Sequence, residues 1–395
     1  MKVIHNNGCM IPYARQKIND KDINEVINAL RSEFITQGPR VEGFEQNIST
    51  YCNSKFSIAV NSASSGLHVA CRALDVGPGD FVWTTANSFV PSANCVLHCG
   101  AKVDFVDINL RDFNICVDVL ENKLRASARR NKLPKVLIVV HFAGFPCEMS
   151  TIHQLSMKYG FKIIEDASHA FGASYKGHSI GSCKFSDITV FSFHPVKIIT
   201  TGEGGACTTN NPMLAEKLKQ LRSNGIVRCK DSFGPKPSDE IWNYEQVELG
   251  FNFRMSDIQA ALGISQLSRL GKILKERREI AARYISGLCE LPLKLPQIMK
   301  SVKSSWHLFV ILLDNERPVV AQKALTTHMH SNGIKCNLHY IPIYRHPYYQ
   351  KQGFPYNYCP NAETYFKSCL SLPIYEGLSN ESQMKVVKAL AAKLT

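Results

Sequence analysis

Residues 56–74 read FSIAVNSASSGLHVACRAL. Five strand-forming residues run into a turn of small polar residues, and the turn opens into a helical pattern. The same change of period recurs down the chain. FVWTT (81–85) precedes the helical VPSANCVLHCG, and KVDFV (102–106), VLIVV (136–140), FKIIED (161–166), ITVFSF (188–193) and ACTT (206–209) continue the series. Strands that are apolar throughout are buried on both faces. Separated by helices, they predict an α/β fold with a large, mixed, mostly parallel sheet sandwiched by helices.

Ahead of the sheet, NDKDINEVINALRS (19–32) predicts a short amphipathic helix with an Asn or Asp cap. Behind it, residues 256–291, opening SDIQAALG, predict one long helix that carries the chain out of the core, and LPLKLPQ (291–297) marks a boundary. We expect a large domain over residues 1–280 and a smaller α+β domain over 281–395. The length of 395 residues suits such a division.

Composition narrows the function classes. Lys and Arg number 46 against 33 Asp and Glu, a formal net charge of +13. The basic residues are scattered, and the densest runs, RASARR and KILKERR, read as solvated helix faces, so no nucleic-acid partner is expected. A positive field also steers small phosphorylated ligands. No apolar run is long enough to span a bilayer, and the N-terminus has no apolar leader, so the expectation is a cytoplasmic protein with no membrane partner. The 14 cysteines are dispersed without a CxxC pair, which predicts reduced, buried thiols and no metal site.

Several local features fall at the carboxyl ends of predicted strands, the edge where open α/β sheets bind ligands. NSASSG (61–66) is either an anion-binding helix start or a plain serine cap. Asp166 ends FKIIED, and a carboxylate buried there needs a cationic partner unless it caps a helix. His169 follows three residues later and is structural or within reach of the same ligand. Lys197, in FSFHPVKIITTGEGGA (191–206), is a solvated loop lysine or a buried amine kept for Schiff-base chemistry. Phe89 packs in a core or stacks on a ring. Together, and in that chain order, a phosphate turn, an acidic strand end and a lysine are the parts a pyridoxal 5'-phosphate site requires.

With those residues in view, the chain resembles the DegT/DnrJ/EryC1/StrS sugar aminotransferases of fold type I, the aspartate aminotransferase-like superfamily. NSASSGLH, EDASHAFGASYKG, FSFHPVKIITTGEGGA and GFNFRMSDIQAALG carry the resemblance, which extends from IPYARQ to SLPIY. It implies that Lys197 is the cofactor-bound and proton-transferring lysine. Asp166 pairs with the pyridine nitrogen, Ser168 lies against one ring face, Phe89 stacks on the other, and His169 contacts the phenolic oxygen. Ser64, Ser65 and Ser192 hold the phosphate, and Asn252 reaches it from the second subunit of a homodimer. Tyr13, Arg254, Tyr340 and Tyr344 are the implied substrate contacts.

FITQG, FHPVKIITTGEGGA and HYIPIY most resemble the pseudaminic acid branch of the family. That implies transfer of an amino group from L-glutamate to C4 of UDP-2-acetamido-2,6-dideoxy-β-L-arabino-hexos-4-ulose. Enzymes for perosamine, 4-amino-4-deoxyarabinose or bacillosamine-type sugars share the framework and stay open as alternatives, as does a fold-type-I protein with a non-transaminase or regulatory role. Related dehydratases carry His where this chain has Lys197, which favours transamination. The segment 228–248 is the one departure, expected as a loop at the dimer or substrate edge.

Overall fold

A computed structural model describes residues 10–228, 242–314 and 318–394. Most of the 228–248 segment lies outside the described residues. The seven expected strands form one seven-stranded sheet: β1 (Phe56–Val60), β2 (Phe81–Thr85), β3 (Lys102–Val106), β4 (Val136–Val140), β5 (Lys162–Asp166), β6 (Ile188–Ser192) and β7 (Gly205–Thr209). Their spatial order is β1-β7-β6-β5-β4-β2-β3. Every pairing is parallel except those of β7, which runs antiparallel to β1 and to β6. A mostly parallel mixed sheet is thus what forms.

The all-apolar strand VLIVV is buried along its whole length. Val136 and Ile138 point into one core layer, Leu137 and Val139 into the other. Each such side chain removed from water stabilises the fold by about 1.5–3 kcal/mol. The same alternation separates the two carboxylates that end β5. Asp166 shares its face with Ile164, and Glu165 points to the opposite layer, where His141 Nε2 donates to it at 2.6 Å.

The helices begin where their caps dictate. Helix α1 (Asp20–Leu30) starts at Asn19 with a reciprocal Asn19–Asp22 capping box, and Pro39 opens α2 (Pro39–Cys52). Ser62 caps α3 (Ala63–Ala73), and Pro91 opens α4 (Pro91–His98). The lower layer carries α5 (Val117–Ala128) and α6 (Met149–Tyr159), while α7 (Pro212–Arg222) follows β7.

The single long helix expected over 256–291 is two helices, α8 (Asp257–Ser268) and α9 (Leu270–Leu288). Arg269 between them leaves the helical region at φ −112°, ψ 9°. Its guanidinium there pairs with Asp22 and Glu376 and donates to the Lys17 carbonyl. The expected boundary at 280/281 falls inside α9. Beyond α9, a three-stranded sheet forms from β8 (Leu293–Lys294), β9 (Phe309–Leu313) and β10 (Cys369–Leu372) in the order β8-β9-β10. Helices α10 (Pro318–Ser331), α11 (Pro360–Ser368) and α12 (Asn380–Leu394) accompany it. One continuous apolar cluster joins this sheet to the upper face of the large one. Among the described residues, no helix is long and apolar enough to cross a membrane.

Candidate active site

The carboxyl ends of β1, β5 and β6 open into a cavity of about 550 Å³. Asp166, Lys197, Ser64, Phe89 and His169 all line it, although the chain separates the first and last of them by more than a hundred residues. Ser168, Ser192, Tyr13 and Tyr340 complete the expected residues found there.

Lys197 follows the end of β6 in a tight turn closed by its own N–H donating to the His194 carbonyl at 2.8 Å. Burial pulls the Lys197 amine down from 10.5 to about 8, and attraction to Asp166 partly opposes the fall. An amine with that value is in part neutral near pH 7, as a nucleophile and base must be.

Asp166 is only 5% exposed. Its Oδ2 accepts from Ser92 Oγ at 2.6 Å; its Oδ1 accepts from Ser168 Oγ at 2.6 Å and Ser168 N–H at 3.2 Å. No Lys, Arg or His among the described residues makes an ion pair with it. A buried carboxylate held by hydroxyls and lacking a bonded cation suits a protonated ring nitrogen.

The turn after β1 is built for an anion. Ser62 Oγ caps the helix by accepting the Ser65 N–H at 3.1 Å, and Ser62, Ala63 and Ser64 face the cavity at the α3 N-terminus. Gly205 lets this turn lie against the sheet. A Cβ there would stand 2.7 Å from the Phe191 carbonyl oxygen and 2.8 Å from Ala63 N. The residues present therefore fit pyridoxal phosphate, with its phosphate at α3, its nitrogen at Asp166 and its aldehyde at Lys197.

Phe89 is 60% exposed at the cavity edge, not a core residue, so its ring face is free to cover a planar ligand. His169 is buried, and burial together with Lys197 and His339 holds it well below the usual imidazole range.

Two of the expected residues, Ser65 and Tyr344, do not line the cavity. Ser65 turns inward: its hydroxyl donates to Asn61 Oδ1 at 2.6 Å, so the cap occupies the side chain proposed for phosphate. Tyr344 is fully buried away from the cavity, and its hydroxyl donates to Glu363 Oε1 at 2.8 Å. Tyr344 is a core residue outside the cavity lining. Asn252, exposed and bridged to Ser223, and the half-buried Arg254 do not line the cavity of their own chain.

Other lining residues escaped sequence reasoning. Ser88 and Ser92 bond each other at 2.7 Å behind Asp166; their spacing across ANSFVPSAN was the available signal. His307 and His339 come from the smaller sheet's region and carried no local signal.

The chain matches the DegT/DnrJ/EryC1/StrS aminotransferase family over residues 16–391. It is 40% identical over 382 residues, 96% of each chain, to the uncharacterised protein MJ1066 of Methanocaldococcus jannaschii, and 38% identical over 380 residues, 96% of each chain, to the UDP-4-amino-4,6-dideoxy-N-acetyl-beta-L-altrosamine transaminase of Campylobacter jejuni. Among solved structures, Helicobacter pylori PseC, an aminotransferase involved in the biosynthesis of pseudoaminic acid, superposes with a TM-score of 0.88 at 31% identity, covering 98% of this chain and 99% of that one. The PLP form of the Streptococcus pneumoniae putative sugar aminotransferase Spr1654 gives 0.87 at 29% identity, covering 98% and 100%. Fold and site together define a fold-type-I, pyridoxal-phosphate-dependent aminotransferase. The chain belongs to the DegT/DnrJ/EryC1/StrS aminotransferase family.

Proposed function

We propose that this aminotransferase moves an amino group from L-glutamate to C4 of a nucleotide-linked 4-keto-6-deoxy sugar, UDP-2-acetamido-2,6-dideoxy-β-L-arabino-hexos-4-ulose. The observation that carries the sugar is the 38% identity, over 96% of both chains, to the Campylobacter jejuni transaminase. Pyridoxal phosphate, when bound, supplies the electron sink that makes a proton on the adjacent carbon removable. Lys197 Nζ would hold the aldehyde and, as a partly neutral amine, would carry that proton between the two carbons as base and then acid. Asp166 would keep the ring nitrogen protonated, Phe89 and Ser168 would bound the ring, and Ser64 and Ser192 would hold the phosphate with the α3 N-terminus. His169 and Tyr340 bound the cavity on the other side, and Tyr13 stands at the substrate end.

The same reading makes the working unit a cytoplasmic homodimer. Asn252, exposed and outside its own cavity, reaches the phosphate of the second copy, with Arg254 beside it at the interface. The excess of basic residues favours approach of a nucleotide diphosphate.

The test is a panel of UDP- and other nucleotide-linked 4-keto sugars incubated with glutamate and read by mass. We expect the gain of one amino group on the arabino-hexos-4-ulose and release of 2-oxoglutarate. Preferential amination of another sugar would replace this substrate while leaving the aminotransferase intact.

A further inference from the structure

Two carboxylates end β5, and only Asp166 faces the cavity. Glu165 points to the opposite side of the sheet and is buried there. Its Oε2 accepts from His141 Nε2 at 2.6 Å. Its Oε1 accepts from Thr189 Oγ1 at 3.0 Å and from the Ser186 hydroxyl. His141 Nδ1 already accepts the Cys147 N–H at 3.1 Å, so the imidazole proton sits on Nε2 and points at the carboxylate. Burial opposes ionisation of Glu165, but His141, Ser186 and Thr189 outweigh it and hold the carboxyl below its usual range. Hydrogen bonds to an ionised acceptor are roughly twice as strong as neutral ones.

The donors come from both sides of β5. His141 follows β4, Thr189 lies in β6, and Ser186 stands just ahead of β6. β5 runs between those two strands. One carboxylate therefore ties its own strand to both neighbours. His141 grips β5 a second time, because its backbone N–H donates to the Asp166 carbonyl at 3.1 Å. On the other flank the Ala167 N–H donates to the Val190 carbonyl of β6 at 2.8 Å. The backbone of Asp166 is thus fastened from both sides, directly beside the tie.

The tied strands carry the reacting groups. β5 ends in Asp166, and β6 runs into the turn of Lys197. One ring must meet Asp166 through its nitrogen and Lys197 through its aldehyde, so the spacing of these two strand ends decides whether both contacts form together. Glu165, His141, Ser186 and Thr189 do not line the cavity. We infer that Glu165 is a positioning residue: its carboxylate, held by His141 on one side and by Thr189 and Ser186 on the other, locks the ends of β4, β5 and β6 together and so sets the separation of Asp166 and Lys197. This rests on the assignment of Lys197 and Asp166 above.

The test uses the full-length protein loaded with pyridoxal phosphate. Borohydride reduction and peptide mass first place the cofactor on Lys197 in the wild type; failure at that step overturns the site assignment and this inference with it. Glu165→Leu and Glu165→Gln are then compared by equilibrium dialysis of the cofactor and by the visible circular dichroism of the bound form. Leucine removes every bond of the tie. Glutamine keeps an acceptor for His141, and the two hydroxyls accept from its amide. Glu165→Leu should lower cofactor affinity about tenfold, the worth of one net hydrogen bond, and weaken the dichroic band. Glu165→Gln should restore most of both. A role in stability alone would lower the urea midpoint of Glu165→Leu and leave both readouts of its folded, loaded form at the wild-type level. That result, or an equal loss in Glu165→Gln, would overturn the tie. If Glu165→Leu does not fold, Thr189→Val cuts only the bond to β6. It should give a smaller loss of affinity in the same direction, and unchanged affinity and dichroism there refute the inference.

Discussion

Replacing Lys197 by Met should stabilise the cofactor-free protein at neutral pH, even though it removes the residue proposed to carry the proton. The amine falls from 10.5 to about 8 in the fold. Holding its ammonium form in the cavity then costs on the order of 3 kcal/mol at pH 7. That figure already includes the favourable pull of Asp166. The sign follows from proton binding. Between pH 8 and 10.5 the unfolded chain holds a proton that the folded chain has released, so wild-type stability rises with pH across that window. Below it both states are charged and the full penalty applies. Methionine carries no charge at any pH. The variant should therefore exceed wild type by roughly 3 kcal/mol at pH 7 and by less than half of that at pH 9.5. Urea unfolding of the apoprotein, at fixed protein concentration and several pH values, measures the difference. A gain that does not shrink between pH 8 and 10.5, or a loss of stability at pH 7, would refute the claim that this amine is desolvated.

Asp166→Asn should leave the apoprotein folded and weaken retention of pyridoxal phosphate about a hundredfold or more, since it deletes one partner of a buried charge pair; equilibrium dialysis reads this directly. Gly205→Ala should also lower cofactor retention, by about tenfold or more, because the added Cβ would stand 2.8 Å from Ala63 N and must move the phosphate turn; unchanged affinity would show that the turn tolerates the shift. Tyr344→Phe removes the 2.8 Å donor to Glu363 and leaves it only its ion pair with Arg345, so it should cost about 1 kcal/mol of stability while leaving KM for the sugar unchanged. A rise in KM with intact stability would return Tyr344 to the substrate site.

The strands of the large sheet were legible because apolar residues dominate both of their faces, and two-sided burial favours that pattern. Lys197, Asp166 and the 61–66 turn were legible as a set, since each sits where a strand ends and polar residues are otherwise scarce. The break at Arg269 was not legible. Local helix propensity runs through it, and its cause is a pairing with Asp22 and Glu376, both remote in sequence. Ser65 and Ser64 look alike in the sequence, and only the cap geometry sends one inward to Asn61 and leaves the other facing the cavity.

By itself, then, the sequence determined the order of strands and helices, the loop that carries Lys197 and the carboxylate at the end of β5, because hydrophobic period and turn chemistry are local properties. Tertiary structure decided the rest. It set β7 antiparallel between β1 and β6, so that Gly205 presses against the phosphate turn. It separated Tyr340, which faces the cavity, from Tyr344, which is buried against Glu363, although four residues apart they belong to one motif. It also lowered the Lys197 amine to about 8. Desolvation, backbone approach and the choice between two tyrosines all depend on atoms distant in the chain, and those distances exist only once the sheet has closed.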